Sequence, residues 1–312
     1  MGSGNKTSDT LVKRILKGDG RAAAKALTLI ENRDGRAREI LKALFPYTGK
    51  AHIVGVTGPT GSGKSTVIAR LTSALRKREK KVGVLTVDPS SPFSGGALLG
   101  DRLRLRGHFL DEGVFIRSLA TRGGFGGLSG SIHEATQLLD AMGKETIFVE
   151  TIGVGQDQVE VSNIAHTAVV VLSPWTGDEV QAMKAGLMEV ADLLVVNKAD
   201  LSGAEEMFQQ LKTMFGDAGV PVFQTSAKKD EGIDMLVKGI EEHRSRLAAG
   251  GDQRRRNLNS CRTQLLFLLR DMILGRALKK IGGDSFDQMV EKIAERRLDP
   301  YTAAEKILKR TG

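Results

Sequence analysis

Eight residues constrain this chain more than any others: Gly58-Pro59-Thr60-Gly61-Ser62-Gly63-Lys64-Ser65. They follow the short apolar run Ile53–Thr57 and precede a helical pattern over Ser65–Lys77. The match is to G-x4-G-K-[ST] in the strand–loop–helix context that gives the pattern its meaning. Glycines let a backbone wrap inward until several N–H groups point at one centre. The helix starting near Lys64 adds the positive end of its dipole. Lys64 is placed to reach β- and γ-phosphates, and Ser65 to ligate Mg²⁺ with Thr66 beside it. Such a loop implies a nucleoside triphosphate, but names neither base nor reaction.

The surrounding chain supplies the sheet that this loop needs. Short apolar runs recur at Val82–Val87, Ile147–Val149, Ala168–Leu172, Leu193–Val196 and Val222–Phe223. Several are β-branched at consecutive positions, as in strands buried on both faces. Helical patterns separate them at Ile132–Met142, Glu179–Val190 and Ala204–Phe215. The alternation predicts an α/β fold of the P-loop NTPase type, with a mostly parallel sheet flanked by helices. Upstream, Leu11, Ile15, Ala22, Ala26 and Ile30 predict one helical segment capped by Asp9 or Thr10. A second helix is expected over Arg36–Leu44, stopped by Pro46. Strand patterns end near Glu241. Gly250-Gly251 reads as a hinge before helices at about Leu258–Leu278, Ser285–Arg297 and Ala303–Arg310. The expected division is a helical extension over 1–50, a nucleotide domain over 51–248 and a C-terminal helical arm over 249–312.

Asn197-Lys198-Ala199-Asp200 directly follows the run Leu193–Val196. In N-K-x-D an Asp carboxylate accepts hydrogen bonds from the N1–H and N2 amino group of guanine. Adenine offers no such donor pair, and a buried acceptor left unpaired costs about 1–3 kcal/mol. Asn197, Lys198 and Asp200 therefore point to GTP and GDP. Ser226 and Ala227, in Thr225-Ser226-Ala227 after the next strand, resemble the last guanine-contacting loop of G proteins. Asp88 and Glu150 each end an apolar run, at the strand edge where ligands bind in open α/β sheets. One or both would orient a metal ion or the attacking water. Asp101 lies in a glycine-bounded loop able to close on nucleotide. In Glu150-Thr151-Ile152-Gly153 the Gly153 N–H is a donor for the γ-phosphate. Hydrolysis takes that acceptor away, so the loop would act as a switch. Lys184 is either a helix-surface lysine or the partner of a switch carboxylate. His52, His133 and His166 form no metal-ligand pattern, and Cys261 in a leucine-rich helix is expected in the core.

Charge tests the rival classes. The 312 residues carry a net +9, which invites a nucleic-acid reading. Basic and acidic residues number 11 and 5 over 1–50, 19 and 24 over 51–243, and 16 and 8 over 244–312. The surplus lies in the ends, and only 4% of residues are aromatic, poor material for base stacking. An RNA-associated GTPase is thus the weaker alternative. A nickel-insertion GTPase is weaker still, with five histidines and one cysteine in the whole chain. No run is long and apolar enough for a membrane span. The N-terminus has no secretory pattern, so a cytoplasmic protein is expected.

The segments TGPTGSGKST, VDPSSPFSGGALLGDR, IRSLATRGG, VETIGVGQ and GLMEVADLLVVNKAD resemble the MeaB/ArgK family of G-protein chaperones. That family includes the human methylmalonic aciduria type A protein. The resemblance runs from the N-terminal helices to about residue 245. It implies a GTPase that associates with an adenosylcobalamin-dependent acyl-CoA mutase, such as methylmalonyl-CoA or isobutyryl-CoA mutase. In that role it gates cofactor loading and protects the enzyme. It also implies a homodimer held by a C-terminal helical arm. Family metal and switch acids map onto Asp88, Asp101 and Glu150, and a third switch segment onto 174–184, which includes Lys184. An older family label is a kinase of arginine/ornithine transport. The chain departs from the family pattern at Pro59–Ser62, at Asp157-Gln158 after GVGQ, and at Pro174-Trp175-Thr176.

Overall fold

Short runs such as Val54–Val56 and Val169–Val171 have no polar face to show solvent, so their strands must be covered on both sides. The computed structural model describes residues 3–89, 105, 107–121, 127–151, 164–174, 191–216 and 219–309. Among them are strands β1 (His52–Thr57), β2 (Val82–Pro89), β3 (Val114–Thr121) and β4 (Thr146–Glu150). Strands β5 (Thr167–Leu172), β6 (Leu193–Asn197) and β7 (Val222–Thr225) complete one sheet. Its order is β3-β2-β4-β1-β5-β6-β7, and every pairing is parallel. β1 sits centrally, with β4 on one side and β5 on the other. The loop after β1 thus opens at the carboxyl edge where the winding direction reverses, the usual ligand crevice of such sheets.

β3 is absent from the apolar pattern because Arg117 and Ser118 interrupt it. Both have partners distant in the chain. Arg117 ion-pairs with Glu31, and Ser118 accepts a hydrogen bond from Thr86 at 2.8 Å.

Helices cover both faces. α4 (Lys64–Lys77) and α7 (Ile233–Gly250) bury Val67, Ile68, Leu71, Leu236 and Val237 against Val54, Val56, Phe148 and Val169. α5 (Gly127–Ala141) packs on the opposite face, where Ile132, Ala135 and Leu139 meet Leu85, Ile147 and Val149. α6 (Ala204–Gly216) places Met207, Leu211 and Phe215 against Val170, Leu194 and Val196. The N-terminal helices join the α5 face: Ile15, Leu27, Ile40 and Leu44 share its cluster.

The N-terminal segment differs from the single helix expected. It forms α1 (Ser3–Leu16) and α2 (Gly20–Glu31), and α1 begins before Asp9 and Thr10. Gly18 takes φ +84°, and the Asp19 carboxylate accepts from the N–H groups of Arg21 and Ala22. That capping interaction starts a new helix inside a continuous apolar spacing. α3 (Gly35–Leu44) is capped in the same way by Asp34.

The chain divides into two compact units, Met1–Ser260 and Cys261–Gly312. The C-terminal helices are α8 (Asp252–Ile281), α9 (Gly283–Ala294) and α10 (Pro300–Lys309). Cys261 is exposed, not in a core. The cause is α8 itself, whose Leu258, Leu265, Leu266, Leu269, Ile273 and Leu274 are all exposed. Among the described residues no helix is long and apolar enough to cross a membrane.

Candidate active site

The phosphate loop is shaped by two glycines that admit no side chain. Gly58 has φ +138°, and a Cβ there would lie 2.1 Å from the Val171 carbonyl oxygen on β5. Gly63 has φ +94°, and a Cβ there would lie 2.3 Å from Asn197 Nδ2. Gly61 is also left-handed, at φ +82°. The loop then enters α4 at Lys64. Lys64 is buried, and its Nζ donates to the carbonyls of Gly58 and Pro59, each at 2.9 Å. The ammonium thus lies inside the curve of the loop. Ser62 is fully buried; its backbone carbonyl has a partner, while its Oγ has none among the described residues.

Ser65 meets the end of β4. Its Oγ donates to Glu150 Oε1 at 2.6 Å, and both residues are buried. In register, Glu150 lies between Val56 of β1 and Thr86 of β2. Thr151 follows and ties itself to β1, donating from Oγ1 to Thr57 Oγ1 at 3.0 Å. Thr66 is half-buried next to Ser65. Asp88 lies near the end of β2, paired with Ala120; its side chain is outside the described part. Asp101, Gly153 and Lys184 lie outside the described residues, as do Trp175, Asp157-Gln158 and the helical pattern over 179–190. Of the acidic candidates, Glu150 is therefore the one brought against the loop in the described residues.

The second half of the site is organised by Asn197 at the end of β6. Its Nδ2 donates to the Ser62 carbonyl at 2.8 Å. Its Oδ1 accepts from Thr225 Oγ1 and from the Ala227 N–H, both at 3.1 Å. One buried amide thereby joins the phosphate loop to the turn after β7. Lys198 takes φ +59°, turning the chain so that Asp200 returns to Ser226. The Asp200 carboxylate accepts from Ser226 Oγ at 2.7 Å. That hydrogen bond, then its own backbone N–H and the nearby charges of Lys229 and Lys228, lowers the Asp200 pKa. Asp200 is thus an ionised, exposed acceptor at the mouth of the site. Ser226 and Ala227 are buried beneath it.

One interaction at the site has no sequence signature. Arg70, in the second turn of α4, donates from Nε to the Ala227 carbonyl at 2.9 Å. No spacing rule marks this residue, since it follows the motif by five positions and reads as a helix-surface charge. The histidines lie elsewhere. His52 begins β1 and shares a hydrogen bond with Thr167 Oγ1 at 2.8 Å, at the amino edge of the sheet. Among the described residues no cluster of His, Cys, Asp and Glu suits a metal ion.

A strand–loop–helix phosphate cradle joined to an N-K-x-D turn suits a guanine nucleotide, and similar proteins carry names that agree. The family described as methylmalonyl-CoA mutase-associated GTPase MeaB matches residues 23–281. The chain belongs to the MeaB family. A Pyrococcus abyssi relative named as a GTPase is 43% identical over 96% of each chain. GTPase ArgK of Escherichia coli is 35% identical over 77% of each. The methylmalonic aciduria type A homolog of Caenorhabditis briggsae is 33% identical over 86% of this chain and 71% of its own. The crystal structure of a LAO/AO transport system kinase matches 97% of both chains at TM-score 0.71 and 25% identity. This MeaB-family protein is accordingly a GTPase with a P-loop NTPase fold.

Proposed function

We propose that this GTPase holds GTP·Mg²⁺ between the 58–65 loop and the 197–200 and 225–227 turns, and that hydrolysis times its action on a partner. The observation that carries the site is the Asn197 amide, which links the phosphate-binding and base-binding segments through buried hydrogen bonds. On nucleotide binding, Lys64 exchanges the Gly58 and Pro59 carbonyls for phosphate oxygens. Asp200 accepts from the guanine edge, and the buried Asn197 keeps that turn in register with the phosphates.

Mg²⁺ suits the donors present. The Ser65 hydroxyl and Glu150 carboxylate are hard oxygen ligands that already converge, and Mg²⁺ favours few carboxylates plus phosphate and water. Bound there, the ion would neutralise charge on the transferring phosphoryl group. Asp88 and Asp101 are the other proposed acids, with Gly153 as γ-phosphate donor and Lys184 as partner of a switch carboxylate. Lys64, Glu150, Asp101 and Lys184 form the proposed catalytic set. Catalysis by positioning alone predicts slow intrinsic turnover that a partner changes.

The proposed partner is an adenosylcobalamin-dependent acyl-CoA mutase, of the methylmalonyl-CoA or isobutyryl-CoA type. The protein would gate its cofactor loading and protect it. The family description and the C. briggsae relative support this reading. A homodimer through α8 is part of it, because that helix exposes a leucine-rich surface, which suits protein contact rather than RNA. Co-purification with candidate mutases, with and without a non-hydrolysable GTP analogue, tests the proposal. Nucleotide-dependent capture of one mutase is expected, and no capture in either state would reject it.

A further inference from the structure

We infer that Arg70 is a positioning residue for base selection, holding the guanine-contacting turn from the phosphate-binding helix. The inference rests on the nucleotide site proposed above. Arg70 sits on α4, the helix that begins at Lys64. Its Nε donates to the Ala227 carbonyl at 2.9 Å, and one terminal nitrogen lies 3.4 Å from the Lys228 carbonyl. Its guanidinium also lies 3.9 Å from the Asp230 carboxylate.

The turn it grips needs such support. It is closed by an isolated antiparallel bridge between Ser226 and Glu231. The Lys229 and Glu231 N–H groups both return to the Ser226 carbonyl. Asp230 takes φ +65°, a conformation that non-glycine residues adopt rarely. Within this turn Ala227 is held at both ends. Asn197 receives its N–H, and Arg70 donates to its carbonyl. Ser226, the preceding residue, holds the Asp200 carboxylate.

Two side chains thus run in opposite directions between the same segments. Asn197 reaches from the base turns to the phosphate loop. Arg70 reaches from the phosphate helix to the base turn. A planar guanidinium can address two successive carbonyls, whereas a lysine ammonium is a point donor on a flexible stem. If Arg70 only stabilised the fold, its loss would weaken all nucleotides alike. As a positioning residue it affects the nucleotides whose base engages Asp200 and Ala227.

The test measures GDP and ADP affinities by calorimetry for wild type, Arg70→Met, Arg70→Lys and Asp200→Asn. Arg70→Met keeps the aliphatic stem and removes the donors. It should lower GDP affinity by about tenfold, as expected for one charge-assisted hydrogen bond, while ADP changes much less. Arg70→Lys should fall between. An unchanged GDP:ADP ratio in Arg70→Met, or a parallel loss of both, overturns the Arg70 role. Asp200→Asn reports separately on the site itself. If it leaves guanine preference intact, the base-binding reading fails, and the Arg70 inference fails with it. If Asp200→Asn loses the preference and Arg70→Met keeps it, the Arg70 inference alone is wrong. Thermal unfolding of the apo variants confirms that each is folded.

Discussion

At the scale of single residues, hydrogen-bond direction separates the roles in this site. Asp200 is an acceptor whose ionised form is favoured first by the Ser226 hydroxyl. Asn at this position presents an amide donor toward a guanine amino group that is also a donor. Asp200→Asn is therefore expected to weaken GTP by on the order of 100-fold, because two charge-assisted bonds are lost. The same amide matches a carbonyl, so xanthosine triphosphate should bind better to the variant than to wild type. Competition binding with the two nucleotides checks both halves, and retained GTP preference rejects the assignment. Gly58 gives a second residue-scale prediction. A Cβ there meets the Val171 carbonyl oxygen at 2.1 Å, on a backbone at φ +138°. Gly58→Ala should cost about 2–4 kcal/mol of stability and abolish nucleotide binding. A denaturant titration beside a GDP-binding assay reads both. Gly61→Ala makes a useful contrast, since no described residue lies within 4 Å of its added Cβ and the backbone strain at φ +82° remains.

At the scale of elements, the sequence was legible where one physical rule acted alone. The central strands were visible as apolar runs because burial on both faces favours apolar residues at consecutive positions. The phosphate loop was visible because its glycines and lysine, followed by a hydroxyl residue, recur at fixed spacing between a strand and a helix. β3 was not visible, since Arg117 and Ser118 find their partners in Glu31 and Thr86, far away in the chain. The break between α1 and α2 was hidden for a related reason: an Asp19 cap and a left-handed Gly18 interrupt the helix without interrupting its apolar face. Arg70 was missed because its partner is a backbone carbonyl 157 positions later. The leucine-rich pattern of α8 marks a helix, but the expectation that Cys261 lies in a core fails because the helix leaves it exposed. Among its described residues only Ala277 and Ile281 are buried. Exposed apolar residues at Leu265, Leu266, Leu269 and Ile273 recur at helical spacing and make one stripe. If that stripe joins two copies, Leu266→Glu with Leu269→Glu should convert a dimer to a monomer in light scattering. GDP affinity should be retained, because α8 carries none of the proposed nucleotide ligands. A wild-type monomer would reject the dimer.

At the scale of the molecule, the titrating groups point one way in pH. Burial lowers the pKa of His52 to about 3 and of His133 and His166 to about 4, from an ordinary 6.5. For His52 the charges of His166, Arg244 and His243 push further in the same direction. These imidazoles stay neutral in the fold, while the unfolded chain takes up protons below about pH 6.5. Each therefore contributes stability that is full above about pH 6.5 and drains away as the pH falls toward 4 and then 3. Asp192 acts in a lower window. Burial would raise its pKa, but hydrogen bonds from His243, Arg256 and the Ala168 N–H outweigh this and bring it to about 2. Its contribution is present above about pH 4 and lost toward pH 2. Lys144, buried and beside the charges of Lys81 and Arg76, is lowered to about 8. The unfolded chain holds that proton until about pH 10, so stability still rises through about pH 8–10. The urea midpoint should accordingly fall steeply from about pH 6.5 to 4.5. Each depressed histidine contributes a slope of about 1.4 kcal/mol per pH unit in that range. His133 allows a clean dissection. Among the described residues its Nε2 is buried without a hydrogen-bond partner, whereas His52 and His166 are hydrogen-bonded at the base of β1. His133→Met removes one titrating group and one unsatisfied polar atom together. Its pH slope should flatten by about 1.4 kcal/mol per unit, with little loss of stability at about pH 7.5. A slope unchanged from wild type would show that His133 takes up its proton in the native protein over the same pH range as in the unfolded chain.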